Sequence, residues 1–241
     1  MLTHSITHTV GGGDSDLFGF MRPSALLGLL QHAAEEHAVR LGASREDLPG
    51  DIIWMLAKIA YFLEKPIKTR QETVIETWPR GARGACFYRD FDIAADGEHV
   101  GHAISAWVMA DPQTLRLVRP KDYPVPSIPP EKCKYTDTLG KLVAPESLTP
   151  AMTRVIRYSD LDINGHLNNT RYAELCCDAL CLDSRPPRYI GAMQINYRAE
   201  CKSGEEIAMS CGEYSKNECY VTGNDKNGAL RFDARVSLKN G

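Results

Sequence analysis

The sequence predicts an α+β protein built from two successive repeats, each a long helix wrapped by an antiparallel sheet of about five strands. Three observations predict it. Apolar residues recur at helical period from Pro23 to Leu41, then switch to strand-like runs between Ile52 and Met109. A proline-rich stretch interrupts all periodicity over residues 119–149. After Pro150 the order of the first half returns: strand, helix, strands.

In chain order, Ser5 to Val10 alternates as a strand does, and Gly11-Gly-Gly-Asp14 ends it. Pro23-Ser24 opens a helix, because a proline in the first turn lacks only an N–H that would have no intrahelical acceptor. Positions 26, 27, 30, 33, 34, 38 and 41 make an apolar face broad enough to need a sheet against it, and Gly42 suits the stop. Strand-like runs follow at Ile52 to Leu63, Glu72 to Trp78, Cys86 to Ile93 and His99 to Met109, with Asp96-Gly97 as a hairpin turn. The last run is apolar on both faces (Ile104, Ala106, Val108 against Trp107, Met109), which predicts a central strand. Prolines 120, 124, 126, 129 and 130 exclude regular structure and predict an extended, stiff linker. The expected organisation is therefore 1–118, a linker over 119–149, and 150–241.

The second half repeats the landmarks of the first. Met152 to Arg157 reads as a short strand, Ser159-Asp-Leu161 matches Ser15-Asp-Leu17, Tyr197-x-x-Glu200 matches Tyr61-x-x-Glu64, and Asn227-Gly228 echoes Asp96-Gly97. The offsets are 144 (159 minus 15), 136 (197 minus 61) and 131 (228 minus 97), so the repeat requires a few insertions. The final run alternates cleanly, with Leu230, Phe232, Ala234, Val236 and Leu238 inward and Arg231, Asp233, Arg235 and Ser237 outward.

Composition narrows the class. With 241 residues, 43% hydrophobic and 24% charged, the chain is of ordinary globular make-up, and no run nears the roughly 18 apolar residues of a membrane span. Its start lacks the marks of a secretory signal or import presequence, so the expected location is cytoplasmic. A net charge of −3, from 28 basic and 31 acidic residues, argues against nucleic-acid binding by bulk charge. Eight cysteines without a CxxC pair, and histidines without ligand spacing outside one stretch, lead to the expectation of no metal and no organic cofactor.

That stretch is Arg157-Tyr-Ser-Asp-Leu-Asp-Ile-Asn-Gly-His-Leu-Asn-Asn169. Asp162, Asn164 and His166 sit at alternate positions, so an extended approach would aim all three to one side, and Gly165 permits a sharp turn. Asn168 or Asn169 is placed to cap a following helix whose apolar side is Tyr172, Leu175, Cys176, Ala179 and Leu180. The unpaired N–H groups of that helix start, near Leu167 and Asn168, would then point at the same place.

A long helix before consecutive antiparallel strands, given twice, reads as two hot-dog repeats in one chain. The resemblance is specific: Trp78-Pro-Arg-Gly81, Tyr88-Arg-Asp-Phe91, Ala106-Trp-Val-Met109 and Thr114-Leu-Arg-Leu117 resemble the N-terminal half of acyl-acyl carrier protein (ACP) thioesterases. Ser159 to Tyr172 and Tyr197-Arg-Ala-Glu-Cys201 resemble their catalytic half, the Asp-x-Asn-x-His-x-Asn-Asn string being the most specific part. The resemblance implies hydrolysis of a fatty acyl thioester, with acyl carrier protein as the partner that brings it. It leaves open an acyl-CoA thioesterase, a hot-dog hydratase or dehydratase, and a non-enzymatic fatty-acyl-binding module. A homodimer is also left open.

Thioester hydrolysis needs an activated water, an oxyanion donor and a route for the thiolate to leave. Asn164, His166 and Asp162 are candidates to position water or carbonyl, to move protons and to orient the other two; Asn168 is a candidate substrate contact. Family mechanisms use either the glutamate or the cysteine of Glu200-Cys201. On a strand only one neighbour can face Asn164 and His166, and the polar side, shared with Arg198, Asn196 and Gln194, favours Glu200; a bulge at the strand end would reverse the choice. The first half has Phe18-Gly-Phe-Met21 where a second site would be, so its expected task is to hold the acyl chain, with Trp54, Met55, Leu56 and Phe62 as lining. Lys65, Lys68, Arg70, Arg80, Arg83 and Arg89 form a candidate docking patch for the acidic carrier.

Overall fold

The computed structural model describes residues 2–48, 50, 52–114, 116–123, 125–127, 134, 135, 137–184 and 188–240. Its strands are β1 His4–Thr9, β2 Ile53–Leu63, β3 Glu72–Arg83, β4 Cys86–Ala95, β5 Glu98–Ala110, β6 Leu117–Val118, β7 Thr149–Val155, β8 Arg188–Tyr197, β9 Glu206–Ser215, β10 Glu218–Asn224 and β11 Leu230–Asn240. The α-helices are α1 Pro23–Arg40 and α2 Arg171–Ala179.

The strands form one antiparallel sheet in the order β1-β3-β4-β5-β2-β8-β11-β10-β9-β7, with β6 paired to β5. That order mirrors itself about the β2–β8 junction, where the repeats join edge to edge. Lys58 pairs with Asn196, Ile59 with Ile195 and Ala60 with Gln194. The offset of 136 carries Lys58 onto Gln194 and Ala60 onto Asn196, and Ile59 onto its own partner Ile195, so the pseudo-twofold axis passes through that pair. β5 lies between β4 and β2, the central position its two apolar faces predicted.

α1 packs on the inner face against β1, β3 and α2, burying Leu26, Leu27, Leu30, Ala33 and Ala34. α2 buries Tyr172, Leu175, Cys176 and Ala179 on the expected side but has 9 residues against 18 in α1. The helix stops because Cys181 takes a left-handed φ of 50° and the short turn Leu182–Ser184 follows. Both repeats feed one apolar core, from Leu30 and Ile75 to Ile195 and Val236.

Of the described linker residues, Pro120, Val125, Pro126 and Ser127 line the cleft side, while those from Lys134 to Val143 lie across the outer face of the sheet. Lys134 reaches Asp92 of β4, Asp137 pairs with His102 of β5, and Leu139 is buried against Ala60, Ile104 and Ala106. Lys58 donates to the Leu139 carbonyl at 3.0 Å, Gln194 to that of Gly140 at 2.9 Å, and the Tyr214 hydroxyl to that of Val143. Pro120 opens a short 3-10 turn to Asp122, where regular structure was not expected, and between Leu139 and Val143 the segment's carbonyls are acceptors for the sheet, so this part works as a strap. Pro124, Pro129, Pro130 and Cys133 lie outside the described residues. Among the described residues no helix is long and apolar enough to cross a membrane.

Candidate active site

Residues 161–167 form a tight loop and not the extended run that alternate spacing suggested. Leu161 bridges Leu167, the Asp162 N–H donates to the His166 carbonyl at 2.8 Å, and Gly165 takes a φ of +76°. Asp162 Oδ1 accepts the N–H groups of Asn164 (2.8 Å) and His166 (3.2 Å). The first repeat builds the same loop: Ser15 bridges Met21, and Asp16 Oδ1 accepts the N–H groups of Phe18 and Phe20, both at 2.9 Å. The offset here is 146 (162 minus 16) and not the 144 read from Ser-Asp-Leu, so Asn164 corresponds to Phe18 and His166 to Phe20. An aspartate in this place shapes the loop in both repeats, one of which lacks Asn and His; Asp162 also meets the Asn164 side chain directly, its Oδ2 accepting from Nδ2 at 3.5 Å.

His166 Nε2 lies 3.1 Å from Glu200 Oε2. Glu200 is not on a strand, because β8 ends at Tyr197 and the chain bends at Ala199. The alternation that favoured Glu200 therefore stops short of it. Tertiary packing makes the selection instead: Glu200 lines the cleft described below, whereas Cys201 is 0% exposed in the core. Burial raises the Cys201 thiol above its ordinary pKa, opposed by a hydrogen bond with Tyr172. Glu64 does not mirror Glu200: its side chain is 71% exposed, 4.0 Å from His99.

The N–H groups expected at the oxyanion are occupied. That of Leu167 donates to the Cys201 carbonyl at 2.8 Å and that of Asn168 to the Asp160 carbonyl at 2.9 Å. Asn168 Oδ1 accepts from the Thr170 N–H (2.9 Å) and hydroxyl (2.8 Å), which closes the turn leading into α2; the N-cap itself is Thr170, without a side-chain cap, and neither asparagine fills that place, while Asn169 lines the cleft. Among the described residues the Asn169 N–H has no acceptor, and its carbonyl is held by the Tyr197 hydroxyl at 3.0 Å. It replaces the two neighbours as the donor of interest.

A cleft of about 990 Å³ runs from Asp162, Asn164, His166, Asn169 and Glu200 into the first repeat. Its far walls are Ala34, Ala38 and Leu41 at the end of α1 with Phe87 and Trp107 of the sheet, and Trp54, Met55 and Leu56 line it as expected. Phe62 does not; it stacks on His102 at 5.0 Å and packs with Ala60, Ile104 and Ala106 on the outer face. The reason is a bulge between Leu56 and Lys58, which reverses strand parity, so that Phe62 no longer shares a side with Trp54 and Leu56.

Three of the six residues of the basic stretch are held by partners. Lys65 pairs with Glu98 at 2.7 Å, Arg80 Nε with Asp90 at 2.8 Å, and Arg89 is buried against His37 and Thr77, its pKa lowered to about 10 by burial. Arg89 lines the cleft instead. Arg45 was not foreseen: from 119 residues away its Nη1 reaches Asn164 Oδ1 at 3.4 Å, a contact no local spacing signals.

Comparison with known proteins identifies the family. Residues 2–124 match the family model of the acyl-ACP thioesterase N-terminal domain and residues 149–235 that of the C-terminal domain. The chloroplastic oleoyl-acyl carrier protein thioesterase 2 of Arabidopsis thaliana is 25% identical over 229 residues, covering 86% of this chain and 62% of that protein. The chloroplastic palmitoyl-acyl carrier protein thioesterase of Gossypium hirsutum is 25% identical over 203 residues, covering 72% and 48%. The chain thus spans between 48% and 62% of the length of these plant relatives. The crystal structure of an acyl-ACP thioesterase from Bacteroides thetaiotaomicron superposes with a TM-score of 0.84 over 98% of both chains at 24% identity. The 12:0-ACP thioesterase from Umbellularia californica does so with 0.79 over 100% of this chain and 98% of that one, at 17% identity. The hot-dog fold is shared over the whole length and both family domains are matched in order, and on that ground this chain belongs to the acyl-ACP thioesterase family.

Proposed function

We propose that the chain hydrolyses fatty acyl-ACP thioesters to free fatty acid and carrier protein, with Glu200 as the base that activates water. The observation that carries this reading is the His166–Glu200 contact of 3.1 Å on a cleft that extends along the apolar side chains Trp54, Leu56, Phe87 and Trp107 of the first repeat. The acyl chain lies along Trp54, Leu56, Ala38 and Phe87 of the first repeat, and the thioester sits at the loop of the second. Glu200 takes a proton as water attacks the thioester carbon, which its position on the cleft supports. The oxyanion is met by the Asn169 N–H and the Asn164 amide, both on the cleft wall. As the carbon–sulfur bond breaks, the Glu200–His166 pair returns the proton to the departing sulfur. Burial of Cys201 argues against a thiolate nucleophile, because an activated cysteine needs an electropositive, accessible setting.

Free-thiol release by the purified protein tests the proposal, measured side by side on acyl-ACP and acyl-CoA. Release from acyl-ACP is expected to be the faster. No release above background refutes the reading, and faster release from acyl-CoA assigns the other carrier.

A further inference from the structure

We propose that Arg231 is the positioning residue that sets the aim of Glu200, an inference that rests on the reading of Glu200 as base. The repeats differ where the strand leading to each glutamate ends. In the first, β2 stays in register with β5 from Lys58 to its end, Phe62 opposite His102 and Leu63 opposite Gly101, and the Glu64 N–H continues to the Val100 carbonyl at 2.8 Å. In the second, pairing of β8 with β11 ends at Tyr197 and Phe232, and the Arg231 carbonyl accepts two successive N–H groups, Arg198 at 2.9 Å and Ala199 at 3.2 Å. Two donors on one acceptor mark a bulge, which bends the chain and re-aims the side chains beyond it.

Past the bulge the chain is held by a side chain. Arg231 Nη1 donates to the Glu200 carbonyl at 2.8 Å, and the next pairing is the isolated bridge of Lys202 with His166. One residue therefore clasps both ends of the segment 198–200, its carbonyl at the start and its guanidinium at Glu200. The guanidinium is itself fixed: Nη2 meets Glu205 at 3.2 Å and Asp225 at 3.1 Å, and the side chain is 20% exposed. Asp225 is in turn pinned by the N–H groups of Asn227 (2.8 Å) and Ala229 (2.9 Å) in the β10–β11 turn. A planar guanidinium presents these donors in a fixed fork, which an ammonium does not. The sheet thus departs from its own symmetry at the segment that carries the base, and Arg231 supplies the contacts that replace the lost ladder.

A double-mutant cycle separates positioning from general support of the fold. Arg231→Met and Arg231→Lys are measured for kcat and KM on acyl-ACP, alone and in a Glu200→Ala background. Arg231→Met is expected to lower kcat about 10²-fold, the loss that a displacement near 1 Å causes, with KM unchanged because the acyl chain binds in the other repeat. Arg231→Lys recovers part of it, and keeps the cycle readable if the methionine variant does not fold. In the Glu200→Ala background Arg231→Met costs nothing further, since no carboxylate remains to be aimed. Equal losses in both backgrounds, or none in either, overturn the proposal. If Glu200→Ala keeps full activity, the reading of the base falls and this inference with it; an inactive Glu200→Ala beside a fully active Arg231→Met overturns the role of Arg231 alone.

Discussion

Replacing Cys201 with alanine should leave hydrolysis nearly intact, and replacing Glu200 should remove most of it. The thiol is 0% exposed, and burial raises its pKa. At an ordinary pKa of about 8.5 roughly 3% of a thiol is ionised at pH 7, and a raised pKa leaves less. Removing the sulfur costs about 1 kcal/mol in lost burial and cavity. The Tyr172 hydroxyl loses a partner, which adds about 1 kcal/mol. For a chain of this size the sum of about 2 kcal/mol lowers the melting temperature by about 4 to 8 °C. Glu200 is the reverse case. Its side chain is 35% exposed, so alanine there changes stability little, whereas loss of a general base costs about 10² to 10⁴ in rate, or about 3 to 5 kcal/mol of barrier. The assay is free-thiol release from acyl-ACP at 25 °C beside a thermal melt of each variant. An inactive Cys201→Ala with an active Glu200→Ala would refute the carboxylate mechanism.

Gly165→Ala tests the loop: a Cβ would meet nothing within 4 Å, so the cost is the +76° φ alone, about 1 to 2 kcal/mol. The expected result is a fall in kcat larger than that stability loss, because Asn164 and His166 flank the strained residue; unchanged kcat would contradict the loop's role. Trp54→Ala should raise KM for long acyl thioesters about tenfold or more, and Phe62→Ala should leave KM unchanged because its ring lies on the outer face. Comparable KM changes in the two variants would count against the cleft as the acyl site. Stability should fall above pH 8.5, since Cys176 and Cys201 are buried thiols whose pKa is raised by burial. The unfolded chain releases these protons near pH 8.5 while the native chain keeps them, so stability is full below that pH and declines as pH rises toward the folded values. Each such thiol contributes up to about 1.4 kcal/mol per pH unit between its unfolded and folded pKa, to be read as falling urea midpoints at pH 8, 9 and 10. A flat profile would show that these thiols titrate normally in the folded state.

What the chain alone determined was the local period of its longer elements and the residue types of one candidate loop. Helix α1, strands β2 to β5, the Pro-rich interruption and the 136-residue offset were all readable, because side-chain direction follows position while a ladder or helix is unbroken. The residue types of the candidate site loop, with Glu200 and Cys201 downstream, were readable as a motif, but their directions were not, because residues 161–167 are not extended and β8 ends before Glu200. Only the tertiary structure decided which way Phe62 faces, since a bulge at one residue of β2 reverses every later position. It also decided that the Leu167 N–H is occupied and that Cys201 is sealed in the core, because their partners come from elements distant in sequence, and that the Asn168 N–H is taken by Asp160 when the loop folds back on itself. The division of labour across the pseudo-twofold is likewise tertiary: α1 is twice as long as α2 and its last turns wall the cleft in the first repeat, while the loop, Glu200 and Arg231 lie in the second. Periodicity reports which side of its own element a residue occupies; where that element sits against the other repeat depends on pairings formed only in the folded sheet.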